Sequence, residues 1–410
     1  MRILREDNMF QLLLIIIYLA FISLGLPDSL LGSAWPSMYG ELNVAVSYAG
    51  IISMIIAGGT IVSSLFSDKL IRKFGTGIVT VVSVAMTAAA LFGFSASHSF
   101  AELCLWGIPY GLGAGSVDAA LNNFVALHYK SRHMSWLHCF WGIGATTGPY
   151  IMGLCLAGGK RWNSGYQAVG VIQVVLVIIL LLSLSLWRTG NGSDGNTEQE
   201  YEEISLKSAL KLPGAKAILT AFFCYCALEA TTGLWAGSYM VLHKGIGAGK
   251  AAKWASLFYL GITIGRFVCG FITDRIGDKN MVRLGQFFAA SGVLLFLLPM
   301  GNTATLAGLI LTGAGCAPIY PSLLHATPEN FGAKYSQSVM GMQMACAYVG
   351  TTLMPPLFGF VSEWAGIGLY PFYLLLFVAG MFTMTERMNR LGARGLSRGQ
   401  VKSSGGVQQG

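Results

Sequence analysis

Twelve apolar runs, each about the length of a membrane crossing, constrain this chain more than any other feature. They are Met9–Pro36, Ser47–Ser67, Thr76–Ala96, Ala101–Leu127, Met134–Ala157, Gly165–Trp187, Ala215–Leu242, Trp254–Thr273, Met281–Met300, Thr303–His325, Gln337–Phe360 and Gly366–Thr385. A helix crossing about 30 Å of hydrocarbon needs roughly 20 mostly apolar residues, because its backbone must satisfy its own hydrogen bonds there. The expected fold class is therefore an all-α membrane protein with twelve transmembrane helices. Composition agrees: 54% of residues are hydrophobic and 11% charged, against about 25% charged in soluble proteins, and the mean hydropathy is +0.61. These values exclude a soluble enzyme. The first run contains Pro27 and Asp28 and leads straight into a second span, so it reads as a retained helix and not a cleaved signal peptide.

An even number of crossings puts both termini on one side. Of the 26 Lys and Arg, twenty then fall on the loops of the terminal side, five on the other, and Arg266 lies within a span. Positive charge accumulates on the cytoplasmic side, so both termini are expected in the cytoplasm and the chain in the plasma (inner) membrane. The longest polar stretch begins at Arg188. It divides the chain into an N-terminal six-helix bundle (1–187), a cytoplasmic linker (188–214), a C-terminal six-helix bundle (215–390) and a tail (391–410), expected to be disordered from its Gly, Ser and Gln content. Thinly spread basic residues make a topology code, so no nucleic-acid partner is expected. The eight cysteines sit in or beside apolar runs with no zinc spacing, so they read as small hydrophobes, and neither a disulfide nor a metal site is expected.

The two halves repeat each other. After the second span the chain reads Ser64-Leu65-Phe66-Ser67-Asp68-Lys69, then Arg72-Lys73-Phe74-Gly75; after the eighth it reads Gly270-Phe271-Ile272-Thr273-Asp274-Arg275-Ile276-Gly277. Each copy is a small residue, three spacers, an Asp and a base. A carboxylate there can cap a neighbouring helix or pair across the interface and release when the halves rock, which makes Asp68, Lys69, Arg72, Asp274 and Arg275 candidates for a conformational latch. This pattern resembles the loop motif of the major facilitator superfamily. The resemblance extends over essentially the whole chain and implies alternating access between two six-helix bundles.

A charge inside the membrane costs about 2.5–3.5 kcal/mol on insertion scales, so each one calls for a function. Three acids stand out: Asp28, Asp118 and Glu229. Asp28 follows Pro27, which removes a backbone donor, so the first span is expected to bend there and face a cavity. Asp118 and Asn122 share a helix face with Gly111 and Gly115, a face combining close approach with hydrogen bonding. His138 and Trp141 lie on adjacent turns of the fifth span. In the seventh, Glu229 and Trp235 flank Thr231, Thr232 and Gly233, where a locally unwound helix is expected. Gln343 adds an amide from the eleventh span. Arg266 lies about two turns from Asp274, which offers structural pairing at least as readily as a substrate role.

Carboxylates, amides, an imidazole and indoles suit a polyhydroxylated neutral solute, whose hydroxyls need donors and acceptors while its apolar face packs on an aromatic ring. At these residues the chain resembles the fucose permease branch, the sugar:proton symporters. Pro27-Asp28-Ser29-Leu30-Leu31 stands where that branch has Asn-Asp-Ile-Leu-Leu. Asp118, Asn122, Asn123, Phe124 and Val125 stand where it has Glu-x-x-x-Asn-Pro-Phe-Val, and His138 to Gly144 match its helix-five motif after a gap. The resemblance implies Asp118 as proton carrier and sugar ligand, with Asp28 as the second coupling carboxylate. The expected function is proton-coupled symport of a hexose-like sugar bound by Asp118, Asn122, His138, Trp141, Glu229, Trp235 and Gln343. The same carboxylates would also serve sodium. No enzymatic activity and no cofactor are expected, and the expected partners are the sugar and membrane lipid, with the chain a monomer. A proton-coupled exporter of drugs or lipids and a non-transporting nutrient sensor are the competing readings.

Overall fold

The computed structural model of the chain describes residues 2–128, 131–187 and 210–404, and most but not all side chains within them. The N-terminal half contains α1 (Arg2–Asp28), α2 (Leu30–Met38), α3 (Tyr48–Phe74), α4 (Thr76–Ala96), α5 (Phe100–His128), α6 (Ser131–Ala157), α7 (Trp162–Leu182) and the short α8 (Leu184–Trp187). The second half contains α9 (Ala215–Leu242), α10 (Ala248–Ile276), α11 (Asp278–Leu297), α12 (Gly301–His325), the short α13 (Thr327–Phe331), α14 (Ala333–Ala365) and α15 (Tyr370–Ser404). Nine segments among the described residues are long and apolar enough to cross a membrane, the first of them combining α1 and α2. Helices α3, α5 and α6, of 27, 29 and 27 residues, complete twelve crossings. This is the all-α, two-half architecture that the apolar runs lead one to expect.

The first span breaks where Pro27 places it. Helix α1 ends at Asp28, Ser29 turns, and α2 resumes at Leu30. The Ser29 hydroxyl donates to the Ala145 carbonyl at 2.7 Å, which ties the break to α6. The seventh span departs from expectation: α9 is continuous from Ala215 to Leu242. Thr232 donates back to the Leu228 carbonyl at 2.7 Å within the helix. Gly233 serves close packing there, because a Cβ on it would lie 2.3 Å from the Tyr259 hydroxyl oxygen. Helix α15 is described as far as Ser404, and residues 405–410 of the expected tail lie outside the described residues. Of the expected linker, residues 188–209 lie outside the described residues.

The repeat is visible in the backbone. A single glycine joins α3 to α4 and another joins α10 to α11, Gly75 at φ 81, ψ 154 and Gly277 at φ 79, ψ 150. Only a residue without Cβ adopts that conformation freely, so each half turns the chain the same way after its Asp-base motif. Described contacts between the halves include several at mid-span and at the end away from these motifs. There α2 packs on α9, where a Cβ on Gly32 would meet the Gly233 carbonyl oxygen at 2.4 Å. Ser47, just before α3, donates to Glu363 of α14 at 2.5 Å. At the same end a Cβ on Gly249 of α10 would lie 2.7 Å from the Ala157 nitrogen of α6.

Candidate functional site

Small residues bring the polar groups of five spans together at mid-span. Gly25 of α1 and Gly144 of α6 let those helices touch backbone to backbone, since added Cβ atoms would lie 2.0 Å from the Trp141 carbonyl oxygen and 2.2 Å from that of Ile22. That approach sets Asp28 beside Trp141, whose indole N–H donates to the Asp28 carboxylate at 2.8 Å. Asp28 is solvent-accessible while its neighbours from Leu24 to Trp35 are buried, so it faces an internal cavity. Tyr110 of α5 is a second hydrogen-bonding neighbour of Asp28.

The second half reaches the same place through α10. Gly142 of α6 sits against Thr263, and a Cβ there would lie 2.2 Å from the Thr263 hydroxyl. One turn further along α10, the Arg266 guanidinium lies over the Trp141 ring at 5.6 Å from its centroid. It also faces Glu229 of α9 at 3.9 Å, with the two side chains 15% and 20% exposed. The Tyr225 hydroxyl donates to the other Glu229 oxygen. Tyr259 meets Trp141 edge-on at 6.3 Å. A continuous polar chain therefore crosses between the halves, from Asp28 through Trp141 and Arg266 to Glu229 and Tyr225.

Asp118 of α5 is half-buried and lies within electrostatic reach of Asp28. The Asn122 amide donates to its carboxylate at 2.9 Å and to its backbone carbonyl at 3.0 Å. The glycine face that carries it packs on α3 as expected, with a Gly111 Cβ falling 2.1 Å from the Ile56 carbonyl oxygen. Asp28 feels the charge of Asp118, as do Tyr320 and Tyr348 of the second half.

Other expected site residues sit elsewhere. Trp235 is completely buried, donates to the Pro355 carbonyl at 2.7 Å and packs edge-on against Phe358 at 5.7 Å; sealed on all sides and with its N–H committed, it belongs to the packing of the second half. Gln343 is also fully buried, accepting from the Thr327 hydroxyl at 2.9 Å. His138, by contrast, borders the polar chain: it is half-buried, meets Phe21 edge-on at 5.9 Å and feels the charge of Arg266. Among the latch candidates, Lys69 and Arg275 are exposed, with the Lys69 ammonium 5.7 Å from the Phe66 ring centre. The side chains of Asp68, Arg72 and Asp274 lie outside those described.

Among the site members, Arg266 is read in the sequence as a partner of Asp274, and Tyr225 is given no role there. Arg266 faces Glu229 on a different helix, a pairing that spacing along α10 could not reveal. Tyr225 lies four residues before Glu229 and Tyr259 seven before Arg266, helical spacings that place each on the face of its charged neighbour.

Twelve crossings in two repeated halves, with ionisable groups gathered between them at mid-span, are the architecture of a membrane transporter. The Major Facilitator Superfamily model matches residues 17–254 and 251–387, and the chain belongs to that family. It is 22% identical over 396 residues to "Bypass of stop codon protein 6" of Saccharomyces cerevisiae (strain ATCC 204508 / S288c), covering 89% of this chain and 79% of that one. It is also 22% identical over 356 residues to the glucose/mannose transporter GlcP of Bacillus subtilis (strain 168), covering 83% and 86%. Among solved structures it resembles a point mutant of the nucleoside transporter NupG, with a TM-score of 0.71, 14% identity and coverage of 92% and 98%. The protein is a multi-pass membrane protein of a transporter family.

Proposed function

We propose that the chain is a proton-coupled importer of a neutral hexose-like sugar, of the fucose permease branch, in the plasma membrane with both termini cytoplasmic. One observation carries this reading: a membrane-embedded carboxylate, Asp28, held by the N–H of an aromatic ring, Trp141, on the cavity between the halves. The ring offers a sugar its apolar platform, while Asp28 and the Asp118–Asn122 pair offer hydroxyl partners and proton carriers. The likeness to a glucose/mannose transporter supports a sugar. Arg266 currently covers one face of Trp141 and has donors to spare beyond Glu229. That favours, as a second reading, a solute bearing both hydroxyls and a carboxylate.

Uptake of labelled sugars and sugar acids into proteoliposomes, under imposed proton or sodium gradients, tests this. The expected result is saturable accumulation of one neutral sugar driven by the proton gradient alone. Removing a single hydroxyl from that sugar should weaken binding by one to two orders of magnitude, since an unpaired polar group in a buried site costs about 1–3 kcal/mol. Accumulation of a sugar acid only would establish the second reading. Saturable quenching of tryptophan fluorescence by hydrophobic cations, with no response to any sugar, would make the protein an exporter.

Asp68 and Asp274 complete the proposal as the latch at the motif-bearing end. Alanine at either position should shift the populations of the two access states and change rates more than recognition. Cysteine labelling from each membrane face reads this directly, and unaltered labelling in both variants would remove the latch from the mechanism.

A further inference from the structure

A cavity lined by described residues of the second half lies away from the polar centre. It measures about 450 Å³, between α10, α11 and α12, and its walls include Leu257, Val268 and Ile272 of α10, Leu284 and Phe288 of α11, and Ile310 of α12. Every lining residue is apolar, glycine, proline or cysteine. Helical phase places Val268 and Leu257 on the side of α10 opposite Arg266, at 100° per residue. Val268 and Ile310 are 45% and 39% exposed, so the groove opens outward from the bundle, where a membrane-embedded helix meets lipid.

The shape follows from the connection. Helices α10 and α11 meet at the single residue Gly277, and each packs on α12 far more than on the other. They diverge from that apex and leave a wedge floored by α12. From Leu257 to Ile272 the wedge runs about 22 Å along the helix axis, which exceeds the ~15 Å of one hydrocarbon leaflet. At the apex stand two exposed bases, Arg275 one turn beyond Ile272 and Lys279 five residues before Leu284. Of the other charges there, the Asp278 carboxylate is 2.5 Å from the His325 ring and Arg283 is 2.6 Å from Glu386, a carboxylate that also feels the charge of Lys279.

We propose that this groove binds one acyl chain of an anionic phospholipid, with its headgroup on Arg275 and Lys279. The apolar wall suits a hydrocarbon chain, and the bases at its loop end select the headgroup charge. Because α10 carries Arg266 on its other face, the lipid braces the helix that completes the polar chain to Trp141. The proposal rests on membrane placement and is independent of which solute is carried.

Native mass spectrometry of the detergent-purified full chain, with added phosphatidylglycerol or phosphatidylcholine, tests it. The expected result is one phosphatidylglycerol retained per chain and markedly weaker retention of phosphatidylcholine. Arg275→Gln combined with Lys279→Gln should weaken phosphatidylglycerol retention about fivefold for each charge removed. Val268→Trp should fill the groove and expel the lipid with both bases intact, and Ile264→Trp provides a second filling variant should the first misfold. Equal retention of the two lipids would overturn the proposal. So would loss in the charge variant with full retention in a folded groove-filling variant, because the lipid would then sit on the surface and not in the groove.

Discussion

Asp118→Asn should abolish concentrative uptake while leaving downhill exchange and folding intact. The substitution is close to isosteric, and the new amide oxygen can still accept from Asn122, which now donates to the carboxylate at 2.9 Å. Packing of α5 on α3 depends on Gly111 and Gly115 and is untouched. What disappears is the proton. A carboxylate that meets each side of the membrane in turn loads on one side and releases on the other; an amide does neither. Under a proton-motive force the wild type should concentrate its solute, and the variant should only equilibrate it. Continued accumulation against the gradient in the Asn variant would move the coupling role elsewhere, with Asp28 the next carboxylate to replace.

The second large effect concerns the ion pair between the halves of the polar chain. Arg266→Met leaves Glu229 without its cation in a mostly buried setting. Breaking a buried pair from one side costs about 3–5 kcal/mol, and the partial exposure and 3.9 Å separation of this pair place the expected loss at the lower end. The contact with the Trp141 ring is worth a further ~0.5–1 kcal/mol. Adding Glu229→Gln should recover most of the first loss, because the double variant buries no unpaired charge. Thermal unfolding in detergent, followed by tryptophan fluorescence, should rank wild type, double variant and single variant in that order. If the single and double variants melt together, Glu229 does not depend on Arg266 and the charge bridge has no energetic content. In transport, the double variant should retain solute exchange more fully than either single variant.

Much of this was legible in one dimension. A bilayer obliges each crossing to be apolar over its length, so the twelve spans and their division into halves stand out as runs. Proline removes a donor, so the break at Asp28 was readable from Pro27. Helical phase put Asp118 and Asn122 on one face with the glycines that let α5 approach α3. The Asp-base motifs announced the repeat that Gly75 and Gly277 carry out in the backbone.

Contacts between distant helices were not legible, because periodicity says which way a side chain faces and not what it meets. Trp141 and Trp235 look alike in sequence, each near a glycine and a polar residue. One donates to Asp28 on a cavity; the other is sealed against Pro355 and Phe358. Thr231, Thr232 and Gly233 carry the composition of a broken helix, yet α9 stays whole because the glycine is consumed by Tyr259 packing against it. Arg266 has Asp274 as its neighbour along the chain and Glu229 as its neighbour in space. The sequence by itself determined the spans, their repeat and the polar groups they carry, because each follows from the solvent around a single helix. Which groups meet was decided by the close approaches at Gly25, Gly142 and Gly144, where helices touch at their backbones, and only the tertiary structure contains those.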